Sequence, residues 1–343
     1  MPDGKSRRGV VVGKFYPPHL GHRHLIETAL TNVDQLTAIV CGRPGERPEP
    51  ELRSGWLKEM FPNVDVKLVE DVYDPDDSRL WAQLTVDWLG FKPDVAFTSE
   101  EYGPRWAGFM GCEHVSIDPR RCQFSVSGTA IRTDPFGHWQ FLEPCARAYY
   151  TRRVVVIGAE STGTTTMAKS LADHYHTVWV AEYGREYSEE MFNRLGAYEW
   201  SSDDFVRIAS EQGRREDAAA REANRVLICD TDAFATTIWH ERYMQSESDQ
   251  VKAIAAKCSC DLYLVTDLDV PFVQDGYRDG VQIRAWMHER FVSELERTGR
   301  PYLILSGPHK KRLREAVAAV DSLIGTTDHR RRYDSQDDSH ARG

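Results

Sequence analysis

Short runs of β-branched and aliphatic residues recur along this chain, each followed by a longer segment with apolar positions at helical spacing. GVVVGKF (9–15), LTAIVCG (36–42), VDVKLVE (64–70), PDVAFTSE (93–100) and EHVSID (113–118) form a first series. RRVVVIG (152–158), TVWVAEYG (177–184), RVLICDT (225–231), DLYLVTD (261–267) and RPYLILSG (300–307) form a second. Strands alternating with helices read as parallel sheets wrapped by helices. The expected fold class is therefore α/β, two doubly wound parallel-sheet domains spanning 9–148 and 152–325. Between 202 and 225, Phe205, Ile208 and Ala209 fall at helical spacing, with acidic residues early and arginines late, so a helix is expected there. The stretch 326–343 has almost no apolar residue and reads as a disordered tail.

Composition narrows the classes. The chain has 343 residues, enough for two domains, and its 41% hydrophobic and 28% charged residues are ordinary for a globular protein. A formal net charge of −10 argues against nucleic-acid binding by counterion release, which needs a Lys/Arg-rich face. No apolar run approaches the roughly 20 residues of a membrane span. Gly13 and Lys14 break the first apolar stretch too early for a signal-peptide core, so a cytoplasmic protein with no membrane partner is expected. The seven cysteines are scattered, and Cys258 and Cys260 lack zinc-site spacing; reduced thiols and no structural metal are expected.

The first strand runs directly into GKFYPPHLGHRHLIETAL. Prolines are tolerated only before a helix is established, so Gly13 to Pro18 form a turn and His22 sits near the helix start. His19 and His22, spaced HxGH, then face one point at a helix N-terminus, where backbone N–H groups and the dipole favour anions. Gly21 lets a phosphate approach the backbone, and the imidazoles can donate to charge developing on a transferring phosphorus. Further on, FSVSGTAIRTDP offers Ser127 as an N-cap and Arg132 about one turn later, donors suited to a polyphosphate. In ELRSGWLKEMF, Arg53 and Trp56 share a helical face and are candidates for substrate contact; the indole either stacks on a flat cationic substrate ring or packs in the core.

In the second series, Gly158 and Gly163 have the GxxxxG spacing of a P-loop between a strand and a helix. The amides of 159–165 would form the anion nest, and Thr165 stands at the hydroxyl position that holds Mg²⁺. Thr164 stands where a P-loop carries its lysine. VAEYGREY is read as ending the second strand with Glu182, Tyr183 and Arg185, and LICDTDAFATT as ending the third with Asp230 and Asp232. Ligands of doubly wound sheets sit at such strand ends. Either Glu182 or Asp230 is the candidate base, Asp230 is the better Mg²⁺ ligand, and Tyr183, Arg185 and Asp232 are candidates for substrate contact. VPFVQDGYRDG puts Arg278 in a Gly-rich loop that can close over phosphates.

These segments resemble the HxGH nucleotidyltransferases, whose signature pairs GxFxPxHxGH with a later ISxTxxR. Gly13, Phe15, Pro17, His19, Gly21 and His22 match the first part; Ser127, Thr129 and Arg132 match the second, with Val126 replacing isoleucine. The order HxGH, GxxxxG, EYGREY, DTDxxxTT, PFVQDGYR is similar to the bifunctional nicotinamide-nucleotide adenylyltransferase/ribosylnicotinamide kinase family, NadR-type, over about 9–320. The resemblance implies that His19, His22 and Arg132 bind ATP phosphates, with Lys14 assisting. It implies that the first domain joins nicotinamide mononucleotide to ATP, giving NAD and pyrophosphate, and that the second phosphorylates the 5′-hydroxyl of nicotinamide riboside. Mg²⁺ is expected with ATP at both sites. Some members carry an N-terminal DNA-binding domain; the first strand here starts near Gly9, so DNA is not an expected partner. Oligomeric state stays open, a homo-oligomer included. Thr164 leaves two alternatives: another cation, Arg278, Arg185 or Lys169, reaches the phosphates, or the second domain binds ATP as a regulatory module. A third reading is an HxGH transferase acting on another phosphate ester, such as phosphopantetheine.

Overall fold

A computed structural model describes residues 6–196, 198–270 and 281–325; Arg278 and the tail expected from 326 lie outside the described residues. The chain divides into two compact units between Ala146 and Arg147.

Unit 1 is a parallel sheet of β1 (Arg8–Gly13), β2 (Gln35–Gly42), β3 (Asp65–Glu70), β4 (Val95–Thr98) and β5 (Glu113–Ser116), in the order β3-β2-β1-β4-β5. Alternate residues of a strand face opposite sides. Val11 accordingly packs with Ile26, Ala38 and Phe97, while Val10 packs with Ile39, Ala96 and Trp106 on the other face. Helices cover both faces, so the buried middle of β1 must be apolar, as Val10 and Val11 are. The connection after β1 runs outward to β2 and the one after β4 runs the other way to β5, and this reversal opens a crevice at the carboxyl ends of β1 and β4.

Unit 2 repeats the principle with β6 (Arg152–Gly158), β7 (Trp179–Val180), β8 (Val226–Asp230), β9 (Leu262–Thr266) and β10 (Tyr302–Leu305), in the parallel order β10-β9-β6-β8-β7. Val154 and Val156 face one core with Met167 and Leu171; Val155 and Ile157 face another with Phe205, Ala209 and Phe291. Two expectations need correction. The strand expected over 177–184 is only two residues long, because Glu182 is already the N-cap of the helix Tyr183–Leu195, whose Tyr187 and Met191 bury one face. The helix expected over 202–225 ends at Ala220, before Arg225 at φ 67° leads into β8.

Glycine sets the turn between β6 and the helix Thr164–Tyr175. Gly163 has φ 90°, the left-handed region. A Cβ on Gly158 would lie 2.1 Å from Thr266 Oγ1 and 2.6 Å from Thr162 Oγ1, two hydroxyls that hydrogen-bond each other in the interior. Gly158→Ala should therefore destabilise unit 2 by about 1–3 kcal/mol, the usual cost of overpacking. A denaturation midpoint equal to that of the parent chain would contradict this.

Candidate active sites

In unit 1 a cleft of about 440 Å³ opens where β1 ends, lined by Gly13, Lys14, Phe15, His19, Gly21, His22, Ser127, Thr129 and Arg132. The turn after β1 places His19 as the N-cap of the helix Leu20–Leu30, and its Nδ1 accepts from the Gly21 amide at 3.1 Å. An accepting Nδ1 leaves the proton of the neutral ring on Nε2, which becomes a donor. His22 lies against it, ring centroids 3.8 Å apart, and Phe15 packs on His22 at 5.0 Å. Burial, with a smaller contribution from the Arg121 charge, lowers His19 to about 4. Burial, then the neighbouring His19, holds His22 well below the usual range. Both rings are thus neutral at pH 7, and His22 Nδ1 is buried without a hydrogen-bond partner.

The second motif closes the same cleft. Ser127 Oγ accepts from the Ala130 amide at 3.1 Å, the capping role expected of it. Arg132 donates to the Tyr16 carbonyl at 2.5 Å and to Thr129 Oγ1 at 3.1 Å, which ties the two motifs together across more than a hundred residues. Lys14 reaches the cleft while paired with Asp71 at 2.9 Å and Glu46 at 3.2 Å.

Arg53 and Trp56 do not line this cleft, which corrects their assignment to substrate. Arg53 is fully buried; it donates to the Lys14 carbonyl at 2.7 Å and to Glu46 at 2.5 Å, so it braces the turn from behind. Trp56 is 6% exposed and packed away. The aromatic wall comes instead from Trp81, Tyr102 and Trp106. Trp81 donates its indole N–H to the Asp74 carbonyl, a contact made seven residues away through an acidic loop that no helical period reports.

In unit 2 a cavity of about 870 Å³ lies at the carboxyl ends of β6 and β8. It is lined by Gly158 to Ser161, Thr164, Glu182, Arg185 and Asp230, together with the aromatic rings of Trp200, Trp239 and Tyr243. Thr165 Oγ1 donates to Asp230 Oδ2 at 2.5 Å, joining the loop to the end of β8. Burial, and then the charge of Asp230, pushes Glu182 up to about 7. Burial likewise raises Asp230, against the opposing hydrogen bond from Thr165. Carboxylates crowded in this way favour a cation between them. Among the described residues no cluster of three or more His, Cys, Asp or Glu could cage a metal. Asp230 and Thr165 instead suit Mg²⁺ that brings most of its ligands as water and phosphate.

Two other candidates are used elsewhere. Asp232 caps the helix Ala233–Met244, accepting from the Ala235 amide at 2.9 Å and from the Tyr263 hydroxyl at 2.6 Å; it is 2% exposed and does not line the cavity. Tyr183 lies under Arg215, whose guanidinium is 4.3 Å from its ring centroid, and also stays outside the cavity lining. Lys169 sits over the Trp179 ring at 5.1 Å. Gln212 was not visible in any motif: its Oε1 accepts from the Tyr183 amide at 3.0 Å and its Nε2 donates to buried Glu216 at 3.1 Å. It thus pins the backbone next to Glu182. Trp239 and Tyr243, four residues apart and stacked 6.3 Å centroid to centroid, did carry a readable signal, an i,i+4 aromatic pair directly after the DTD segment.

Fold and clefts together define a two-unit α/β protein, a Rossmann-like unit with paired histidines joined to a P-loop, kinase-like unit. An AAA domain family model matches residues 153–312. The trifunctional NAD biosynthesis/regulator protein NadR of Escherichia coli (strain K12) is 31% identical over 303 residues, 81% of this chain and 73% of that protein. The NadR of Salmonella typhimurium is 30% identical over the same length. Crystal structures of NadR proteins, one in complex with NR and one with NAD and AMP-PNP, share the fold at TM-scores of 0.76 and 0.74. Their identities are 24% and 23%, with 94% of this chain and 97% of each of those covered. The chain belongs to the NadR family of NAD biosynthesis proteins.

Two predictions follow from the site geometry. Because the folded state holds His19 below its unfolded value of 6.5, unit 1 binds fewer protons than the unfolded chain between pH 6.5 and 4. Its stability should fall over that window by on the order of 3 kcal/mol from His19. His19→Asn keeps a capping oxygen and should flatten the decline; an unchanged pH dependence of melting would refute the assignment. Asp232→Ala should lower stability by about 2–4 kcal/mol, from the lost cap and the orphaned Tyr263 hydroxyl. Because the side chain is outside the cavity, an effect confined to substrate KM would contradict its structural role.

Proposed function

We propose that the chain makes NAD from nicotinamide riboside in two ATP-dependent steps, one in each unit. In unit 2 the 5′-hydroxyl oxygen of the riboside attacks the γ-phosphorus of ATP, Glu182 takes the hydroxyl proton, and ADP leaves. Glu182 is preferred over Asp230 as base because its carboxyl is poised near 7, while Asp230 is engaged by Thr165. Bound Mg²⁺, held by Asp230 and Thr165, would neutralise charge on the phosphate oxygens. Trp200, Trp239 and Tyr243 offer π-faces to the cationic pyridinium ring.

In unit 1 a phosphate oxygen of nicotinamide mononucleotide attacks the α-phosphorus of ATP and pyrophosphate leaves. His19 Nε2–H, His22 and Arg132 donate to charge that grows during transfer; a neutral imidazole does so through its one N–H. Lys14 adds a charge at the edge of the cleft. The crystal structures of NadR proteins with NR and with NAD and AMP-PNP support this choice of ligands.

The observation that carries the two-step reading is the Thr165–Asp230 hydrogen bond, with Asp230 and Glu182 lining the same cavity; these are the parts phosphoryl transfer needs apart from the lysine. Thr164 is what favours the other reading, in which unit 2 binds ATP as a regulatory module and only unit 1 turns over. A mass-spectrometric product assay separates them: protein with Mg·ATP and nicotinamide riboside, beside protein with Mg·ATP and the mononucleotide. The two-step reading expects NAD from both; NAD from the mononucleotide alone supports the regulatory module. Riboside phosphorylation should also rise with pH through about 7 as Glu182 loses its proton, and Glu182→Gln should cost about 10²–10⁴ in kcat. A pH profile flat from 6 to 8 would exclude Glu182 as the base.

A further inference from the structure

The cavity of unit 2 must accommodate a triphosphate among four carboxylates, Glu160, Glu182, Glu189 and Asp230. Glu160 is matched from behind by buried Arg242 at 3.1 Å. Glu182 and Asp230 face the transfer point, where the entering charge is negative. Among the described residues that line this cavity, Arg185 is the one Lys, Arg or His. It sits in the first turn of the helix Tyr183–Leu195, with a side chain 56% exposed and Nε 3.7 Å from Glu182 Oε2. At that separation Arg185 and Glu182 form an ion pair that counters the upward shift of the Glu182 carboxyl, without the short parallel contacts of a bidentate fork.

Among the described residues, two other basic side chains near the loop are engaged elsewhere. Lys169, on the helix that follows the P-loop, covers the Trp179 ring. Arg312 donates to the Thr162 carbonyl at 2.9 Å and to the Gly307 carbonyl at 2.8 Å, and it pairs with Asp269; it holds the outer side of the loop in place. Neither lines the cavity.

The geometry points to Arg185 as the cation that meets the transferring phosphate in place of the P-loop lysine. The assignment rests on the kinase reading of unit 2 and names the group that makes it workable without a lysine at 164. The charge arrives from the acceptor side, beside Glu182, and not from the loop itself. A guanidinium there can bridge two phosphate oxygens, with a geometry that a lysine at 164 would not reproduce but whose charge it would.

The test uses rescue across the cavity. Arg185→Ala, Arg185→Lys and Arg185→Ala/Thr164→Lys are compared with the parent for riboside phosphorylation. Calorimetric binding of Mg·AMP-PNP is measured in an Arg132→Ala background that weakens the unit 1 site. Removing one preorganised donor should lower riboside kcat about 10²–10³-fold, and AMP-PNP affinity should fall at least about tenfold, the loss of one charge-assisted contact. Arg185→Lys should fall between, and the Thr164→Lys addition should recover most of both losses with the acid limb of the pH profile unmoved. Arg185→Ala with full affinity and turnover would overturn the assignment. So would a loss that Thr164→Lys leaves untouched while the acid limb shifts, because Arg185 would then act through Glu182. Melting midpoints identify a variant that fails to fold, in which case Arg185→Lys carries the comparison. If the parent does not phosphorylate the riboside, the kinase reading falls, and the AMP-PNP series still decides whether Arg185 meets the phosphates.

Discussion

The central strands β1 and β6 have sheet neighbours on both edges and packed helices on both faces. Past the arginines at their starts both strands are apolar, and an unpaired polar side chain there would be buried without water, so reactive groups appear where the strand stops. Both clefts therefore lie at carboxyl ends, and both begin with the turn that leaves the strand: Gly13 to His19 in unit 1, Gly158 to Thr165 in unit 2. The apolar requirement of the sheet thus locates the chemistry before any catalytic residue is considered.

The two clefts handle charge in opposite ways. In unit 1 burial strips the protons from His19 and His22, and their stacking makes a second positive charge there still less favourable. What remains is a pair of neutral donors beside Arg132, ready for a polyphosphate. In unit 2 the excess is negative: burial, and then the charge of Asp230, raises the Glu182 carboxyl to about 7. A site of this kind is completed by its ligands, since a magnesium nucleotide brings the cation the carboxylates lack. Arg185 belongs to this balance, as does Arg242, which neutralises Glu160 beneath the loop.

Much of this was readable in the chain because local spacing carries it. HxGH after a strand fixes a helix N-terminus with both rings on one side, and SGTAIR announces its own cap. GxxxxGTT between a strand and a helix fixes a nest whose glycines have no substitute at φ 90° or at a 2.1 Å approach. Other residues were misjudged because sequence reports chemical type but not partners. Asp232 looks like a ligand, yet Tyr263 and the Ala235 amide occupy its two oxygens. Arg53 looks like a substrate contact, yet it is spent on the Lys14 carbonyl and Glu46.

The sequence by itself determined the two α/β units, the order of their motifs and the loss of the P-loop lysine, since each is a property of consecutive residues. Tertiary structure decided which aromatic rings form the walls, which acids face a cavity and which cap a helix, and which cation stands beside Glu182 in the cavity lining. The reason is physical. Helical and strand periods fix the direction of a side chain relative to its own element, whereas burial, pKa and hydrogen-bond partners depend on elements that approach from tens or hundreds of residues away.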